Sequence, residues 1–129
     1  MHQEIDSDLN ALARNVVDAA FRVHKSLGPG LLESAYEICL GVELRRRGLA
    51  YETQVPVAVT YEGTTIESSF RLDLLIDNRL IVEIKAVEKL LPIHEAQLLT
   101  YLRLSGLRLG LLINFNVPLI KNGIKRLAL

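Results

Sequence analysis

Tryptophan is absent, cysteine and methionine appear once each, and four tyrosines with three phenylalanines bring the aromatic share to only 5%. Each shortage excludes something. A lone Cys39 can neither close an internal disulfide nor build a zinc cluster, which fits a reducing, cytoplasmic setting. So few rings leave no aromatic cluster on which successive bases could stack. No apolar run approaches the roughly 20 residues that a membrane-spanning helix needs. Stretches such as Leu109 to Ile113 are far shorter, and the start of the chain, with Glu4, Asp6 and Asp8, shows no secretion signal or anchor. No membrane partner is expected. Excess charge of one sign is also missing: the formal net charge is zero, which argues against coating nucleic acid by bulk electrostatics. The distribution is uneven, with nine Lys/Arg against fourteen Asp/Glu through residue 88 and six against one beyond it. That leaves open a basic face at the C-terminal end or simply solvated lysines and arginines.

What is present is a globular composition, half hydrophobic and 23% charged, in 129 residues that suit one domain spanning 1–129. Leu9, Leu12, Val16, Ala20, Val23 and Leu27 recur in steps of three and four, the stripe of an amphipathic helix that Asp6, Ser7 or Asp8 can cap. Gly28-Pro29-Gly30 breaks it, because glycine supplies unusual backbone angles and proline cannot continue the hydrogen-bond ladder. A second helix is expected from about Leu31, with Leu32, Ala35, Cys39 and Val42 as its apolar stripe and Arg45-Arg46-Arg47-Gly48 as its end. The pattern then turns to strands. Val55, Val57 and Val59 alternate, Glu62-Gly63 reads as a turn, and Ile66 to Ile76 forms a second extended run before the turn signal Asp77-Asn78. A third strand, Leu80 to Val87, is apolar except for Glu83 and Lys85, as in a central strand buried on both faces. Pro92 opens a third helix closed by Gly106, Leu109 to Phe115 suits another buried strand, and Ile124 to Leu127 a short last one. The order reads ααβββαβ(β), an α/β fold.

The two charges in the third strand carry the chemistry. Glu83 and Lys85 are two apart and leave the same face of the sheet. If Asp77, Asn78 and Arg79 form a three-residue loop, residue 76 pairs with 80, and Asp73 then lies opposite Glu83. Opposed carboxylates, with Cβ atoms about 4.5 to 5.5 Å apart, are destabilising unless a proton or cation sits between them. Magnesium or manganese is the economical cation, since hard ions take carboxylate, water and phosphate oxygens. Lys85, beside it, can orient or help deprotonate a water or stabilise charge on a phosphate oxygen. The competing reading is a buried Lys–Glu ion pair, which is expensive in a central strand.

At these residues the sequence resembles a known family. Gly30-Leu31-Leu32-Glu33-Ser34-Ala35-Tyr36 matches the pattern that names the GxxExxY family, and Asp73 followed by Glu83-Ile84-Lys85 resembles the signature of the PD-(D/E)XK nuclease superfamily. The stretches His24-Lys25-Ser26-Leu27-Gly28-Pro29-Gly30, Arg71-Leu72-Asp73 and Leu91 to Tyr101 are similar as well, so the resemblance spans about residues 16–127. It implies a restriction-endonuclease-like core, a mixed central sheet flanked by helices, with Mg²⁺ (or Mn²⁺) held by Asp73 and Glu83 and Lys85 assisting phosphodiester hydrolysis. It also implies that Glu33 completes the metal site. Gln97 and Tyr101, at i and i+4 of the third helix, resemble the Gln-x-x-x-Tyr element of RecB-like nucleases, which lines the site and places the nucleic-acid backbone. Tyr36, one turn beyond Glu33, could contact a phosphate, hold Glu33, or pack on the sheet. The proline that gives the superfamily its name is Leu72 here.

Other residues read as structural. His24 lies near the apolar side of the first helix as a hydrogen-bonded core histidine, and Cys39 as packing volume. His94, in the first turn of the third helix, is not expected to be a catalyst. Arg45 to Arg47 end a helix in solvent, with phosphate contact as the alternative, and Gly28-Pro29-Gly30 lacks the lysine and preceding strand of a phosphate loop. The resulting expectation is a Mg²⁺-dependent nuclease cutting DNA, or RNA in second place, by water activated between the ion and Lys85, with a homodimer as a further expectation. The alternative is a non-catalytic nucleic-acid-binding or protein-interaction module that keeps the fold and an ion site.

Overall fold

A computed structural model describes residues 4–129. Helix α1 (Ser7–Leu27) starts where Asp6 Oδ1 accepts from the Leu9 amide at 2.9 Å and stops at Gly28, whose φ of 66° few other residues tolerate. Helix α2 (Glu33–Arg46) follows. Five strands come next: β1 (Tyr51–Tyr61), β2 (Thr64–Ile76) and β3 (Leu80–Lys85), then helix α3 (Pro92–Ser105), β4 (Leu109–Asn114), a 3₁₀ turn over Ile120–Gly123 and β5 (Ile124–Ala128). The expected order holds, with the 3₁₀ turn as the one addition. Pro92 opens α3 and Gly106 closes it at φ 74°, as their chemistry dictates.

The strands form a single mixed sheet in the order β1-β2-β3-β4-β5. All neighbours are antiparallel except β3 and β4, which run parallel and are joined through α3. Helices α1 and α2 cover one face, packing Val16, Ala20, Tyr36 and Leu40 against Leu74, Val82, Ile84 and Ile113. Helix α3 covers the other, with Leu98 and Leu102 against Leu72, Ile81 and Leu112. Strand β3 is therefore buried on both sides. No helix among the described residues is long and apolar enough to cross a membrane.

Two expectations need correction. The fully buried stripe of α2 is Tyr36, Leu40 and Leu44; of the expected stripe, Ala35 and Cys39 are half-buried, Cys39 packing at the edge of the core, while Leu32 is 77% and Val42 40% exposed. Tyr36 decides the rotation: its ring stacks on Phe115 with centroids 4.5 Å apart, and Gly41 beside this stripe makes room for the Tyr51 ring. Strand β3 also ends at Lys85 and not at Val87. Beyond it the buried Asn114 side chain takes over the pairing, its Oδ1 accepting from the Val87 amide at 3.1 Å and its Nδ2 donating to the Val87 carbonyl at 2.9 Å.

One irregularity shapes everything downstream. Leu72 packs on the α3 side and Leu74 on the α1 side, although residues two apart in a strand normally share a face. Strand β1 does the same, with Tyr51 on the α1 side and Val55 on the α3 side. The slip falls at Asp73 and at its partner in register, Gln54, whose φ is 51°. Helix α3 is held close over β4 by the absence of a side chain at Gly110, where a Cβ would stand 2.9 Å from Leu98 Cδ1. Gly110→Ala is expected to lower stability by about 1–3 kcal/mol through overpacking; urea denaturation measures it, and an unchanged midpoint would refute this account of α3 docking.

Candidate active site

The hairpin between β2 and β3 turns on Asp77 and Asn78, both in the left-handed region (φ 53° and 55°), which short polar side chains tolerate best. Arg79 closes it by donating its amide to the Ile76 carbonyl at 3.0 Å. The register runs Ile76 with Leu80, Leu75 with Ile81 and Leu74 with Val82. Continued by one residue, it sets Asp73 opposite Glu83. At that point side chains replace the ladder: the Asp73 amide donates to Glu83 Oε1 at 3.1 Å, and the Ile84 amide donates to Asp73 Oδ2 at 2.8 Å. Each carboxylate thus satisfies the backbone of the other strand, and the two strands part there.

Burial gives this exchange its electrostatic character. Glu83 is 4% exposed, and its carboxyl is pushed up from 4.5 to about 8, chiefly by burial and then by the Asp73 charge. The Asp73 amide and the Lys85 charge oppose the shift without cancelling it. Near neutral pH, with no cation present, Glu83 keeps its proton. Lys85 leaves the same face of β3 and points Nζ to within 3.5 Å of Gln97 Oε1 on α3. One turn further along α3, Tyr101 stacks on Phe70 with centroids 4.3 Å apart. Its phenol is raised by burial and by the charges of Glu83 and Asp73, while a hydrogen bond with Gln97 opposes. Gln97 and Tyr101 therefore meet the acids from the α3 side.

From the other side comes α2. Glu33, in its first turn, accepts from the Ala86 amide at 3.4 Å, just past the end of β3. Glu33, Ser34, Glu37, Gln54, Asp73 and Ile84 line a cleft of about 310 Å³. Tyr36 does not join them: it is fully buried, its hydroxyl donating to the Gly28 carbonyl at 2.6 Å and accepting from the Leu31 amide at 3.1 Å. Of the roles open to it, packing is the one its surroundings allow, since both its hydrogen-bonding sites are spent on the Gly28 to Leu31 loop.

Sequence reasoning missed Glu37 and Gln54. Gln54 Nε2 donates to Glu37 Oε1 at 2.7 Å and to Asp73 Oδ1 at 3.4 Å. The i, i+4 spacing of Glu33 and Glu37 was a usable signal for one face of α2; nothing in the sequence pointed to Gln54. The remaining candidates are structural. His24 is buried with Nε2 2.8 Å from the Val117 carbonyl, and His94 Nδ1 accepts from the Leu91 amide at 3.0 Å at the start of α3. Arg47 ties α2 to α1 through Asp18 at 2.8 Å, and Arg45 reaches the Tyr51 hydroxyl at 3.0 Å.

Among the described residues, no three His, Cys, Asp or Glu side chains are grouped to hold a metal ion. The donors that do meet, Asp73 and Glu83, are oxygens only, and burial together with the Asp73 charge holds the proton on Glu83. A hard divalent cation suits such a pair.

The family model of the PD-(D/E)XK nuclease superfamily matches residues 10–127, which include every residue of the cleft and the strand pair. The chain belongs to the PD-(D/E)XK nuclease superfamily. With this comes the restriction-endonuclease-like fold that the mixed sheet and its flanking helices display. The crystal structure of SSO0001 is similar in fold, with a TM-score of 0.55 and 21% identity over 98% of this chain and 70% of that one. No curated protein matches the chain. Members of this superfamily generally depend on a divalent metal, and Glu33 and Glu37 line the same cleft as Asp73.

Two consequences can be measured. Folded Glu83 titrates at about 8 against an ordinary 4.5, so the metal-free protein binds more protons folded than unfolded across that window. Its stability is expected to fall as pH rises from about 5 to 8, by up to about 1.4 kcal/mol per pH unit. Glu83→Gln should flatten that slope in chemical denaturation series, and an equal slope in both proteins would contradict the assignment. Tyr36→Phe should cost about 1–3 kcal/mol by stranding two backbone groups; a Tyr36→Phe protein as stable as the parent would mean that the hydroxyl is free for another role.

Proposed function

We propose that this nuclease-superfamily domain hydrolyses phosphodiester bonds of DNA with a divalent cation, Mg²⁺ in the first instance. The observation that carries the reading is the meeting of Asp73 and Glu83 across the parting strands, with Lys85 on the same face of β3. Asp73 and Glu83 would hold the ion, and Glu33, across the cleft, would extend its shell. Bound there, the ion would supply Lewis-acid polarisation of a phosphoryl oxygen and a lowered water pKa.

The chain's own residues do the rest. Lys85 presents a positive donor at the end of a rigid, doubly buried strand, where charge developing on a phosphate oxygen can be met without reorganisation. Gln97, 3.5 Å from its Nζ, holds the ammonium in place. Tyr101 offers a ring edge and hydroxyl beside the same carboxylates, suited to orienting the substrate backbone. The Glu83 proton must leave before a cation can bind, which makes cation affinity rise with pH.

Cleavage of linear and circular DNA by the purified protein, with Mg²⁺ or Mn²⁺ and with EDTA, tests the proposal. Asp73→Ala and Lys85→Ala are each expected to lower the rate by about 10²–10³-fold. Variants that cut as well as the parent would sink it. Binding without cleavage, with both ions and several substrates, would favour a non-catalytic module, and cleavage confined to RNA would reassign the substrate.

A further inference from the structure

We infer that Gln54 is a positioning residue for Asp73, held in place by Glu37; the inference rests on Asp73 being a ligand of the proposed ion site. Gln54 occupies β1 at φ 51°, a left-handed conformation uncommon for a residue with a side chain. Local strain of this kind persists where surrounding structure fixes it, and it concentrates at functional sites. The result of the twist is a change of faces. Tyr51 packs toward α1 and Val55 toward α3, and the Gln54 side chain comes out into the cleft between α2 and β2.

There its amide nitrogen reaches two carboxylates, Glu37 Oε1 at 2.7 Å and Asp73 Oδ1 at 3.4 Å. The amide NH₂ carries two hydrogens and can serve both acceptors. Its orientation is not arbitrary, since a flipped amide would set its carbonyl oxygen against carboxylate oxygens. Asp73 is therefore held from two sides, Oδ2 by the Ile84 amide at 2.8 Å and Oδ1 by Gln54. The short bond to Glu37 anchors the Gln54 amide, and the longer bond aims Asp73. A neutral bridge also stands between two carboxylates that would otherwise repel. Partners that orient a ligand in this way set metal affinity almost as strongly as the ligands themselves.

Gln54→Met keeps the side-chain length and the backbone conformation while removing both donors. In Q54M, Mn²⁺ affinity measured by calorimetry is expected to fall by about 10- to 100-fold. Hydrogen exchange at the Ile84 amide, which reads the Asp73 carboxylate without any metal, should quicken by about tenfold, while the buried Leu111 amide is unaffected. Glu37→Ala should reproduce both effects, and the double variant should lose no more than either single one. Unchanged Ile84 exchange and Mn²⁺ affinity in Q54M, or additive losses in the double variant, would overturn the role. If the parent protein binds no Mn²⁺ and cuts nothing while Ile84 exchange still responds to Q54M, the nuclease reading fails and the positioning of Asp73 stands.

Discussion

Two carboxylates exchanging backbone partners across parting strands are the interaction on which the rest of this structure depends. Ordinary antiparallel strands are held by amides and carbonyls, and a side chain has no part in the ladder. Between β2 and β3 the ladder ends at Leu74 and Val82, and Asp73 and Glu83 carry the next step with their own oxygens. The arrangement places two acids side by side where the strands part, Glu83 buried and Asp73 half-buried at the edge of the core. Placed on the surface, the same pair would be solvated. Here burial raises Glu83 to about 8, so the pair must take up either a proton or a cation.

The two helix layers meet at this gap. Because β3 and β4 run parallel, the chain has to cross over between them, and α3 is that crossover. Docked over Gly110, it delivers Gln97 and Tyr101 to Lys85 and Glu83. The opposite layer supplies Glu33 and Glu37 from the first turns of α2. A flat, regular sheet would keep those layers apart on its two faces. The slip of alternation at Asp73 and Gln54 is what lets side chains from both sides address one carboxylate pair.

Much of this was legible, and the reasons are local. The opposition of Asp73 and Glu83 follows from a three-residue turn one short count away, and the turn residues Asp77 and Asn78 are of the type that adopts left-handed angles. Pro92 and Gly106 bound α3 by their own stereochemistry. What was not legible depended on distant geometry. Gln54 faces Asp73 only because the register of β1 and β2 shifts between Val57 and Val59; counted from Tyr61 and Thr64 without that shift, Gln54 would face Arg71. The rotation of α2 was misread because two apolar stripes lie side by side on it. Ring stacking of Tyr36 on Phe115, 79 positions further along the chain, chose between them.

That choice bears on how the segment from Gly30 to Tyr36 works as a unit. Glu33 and Tyr36 are three apart on α2, yet one points to the end of β3 and the other into the core. Tyr36 fixes the loop that leads into α2 by accepting from Leu31 and donating to Gly28, and its ring fixes the helix against Phe115. Phe115 in turn follows β4 directly and donates its amide to the carbonyl of Lys85. A short physical path therefore joins the entry of α2, the end of β4 and the lysine of the site. A tyrosine with no access to substrate can still determine where Glu33 stands relative to Lys85, because the first turn of α2 can rotate only if the stacked pair separates.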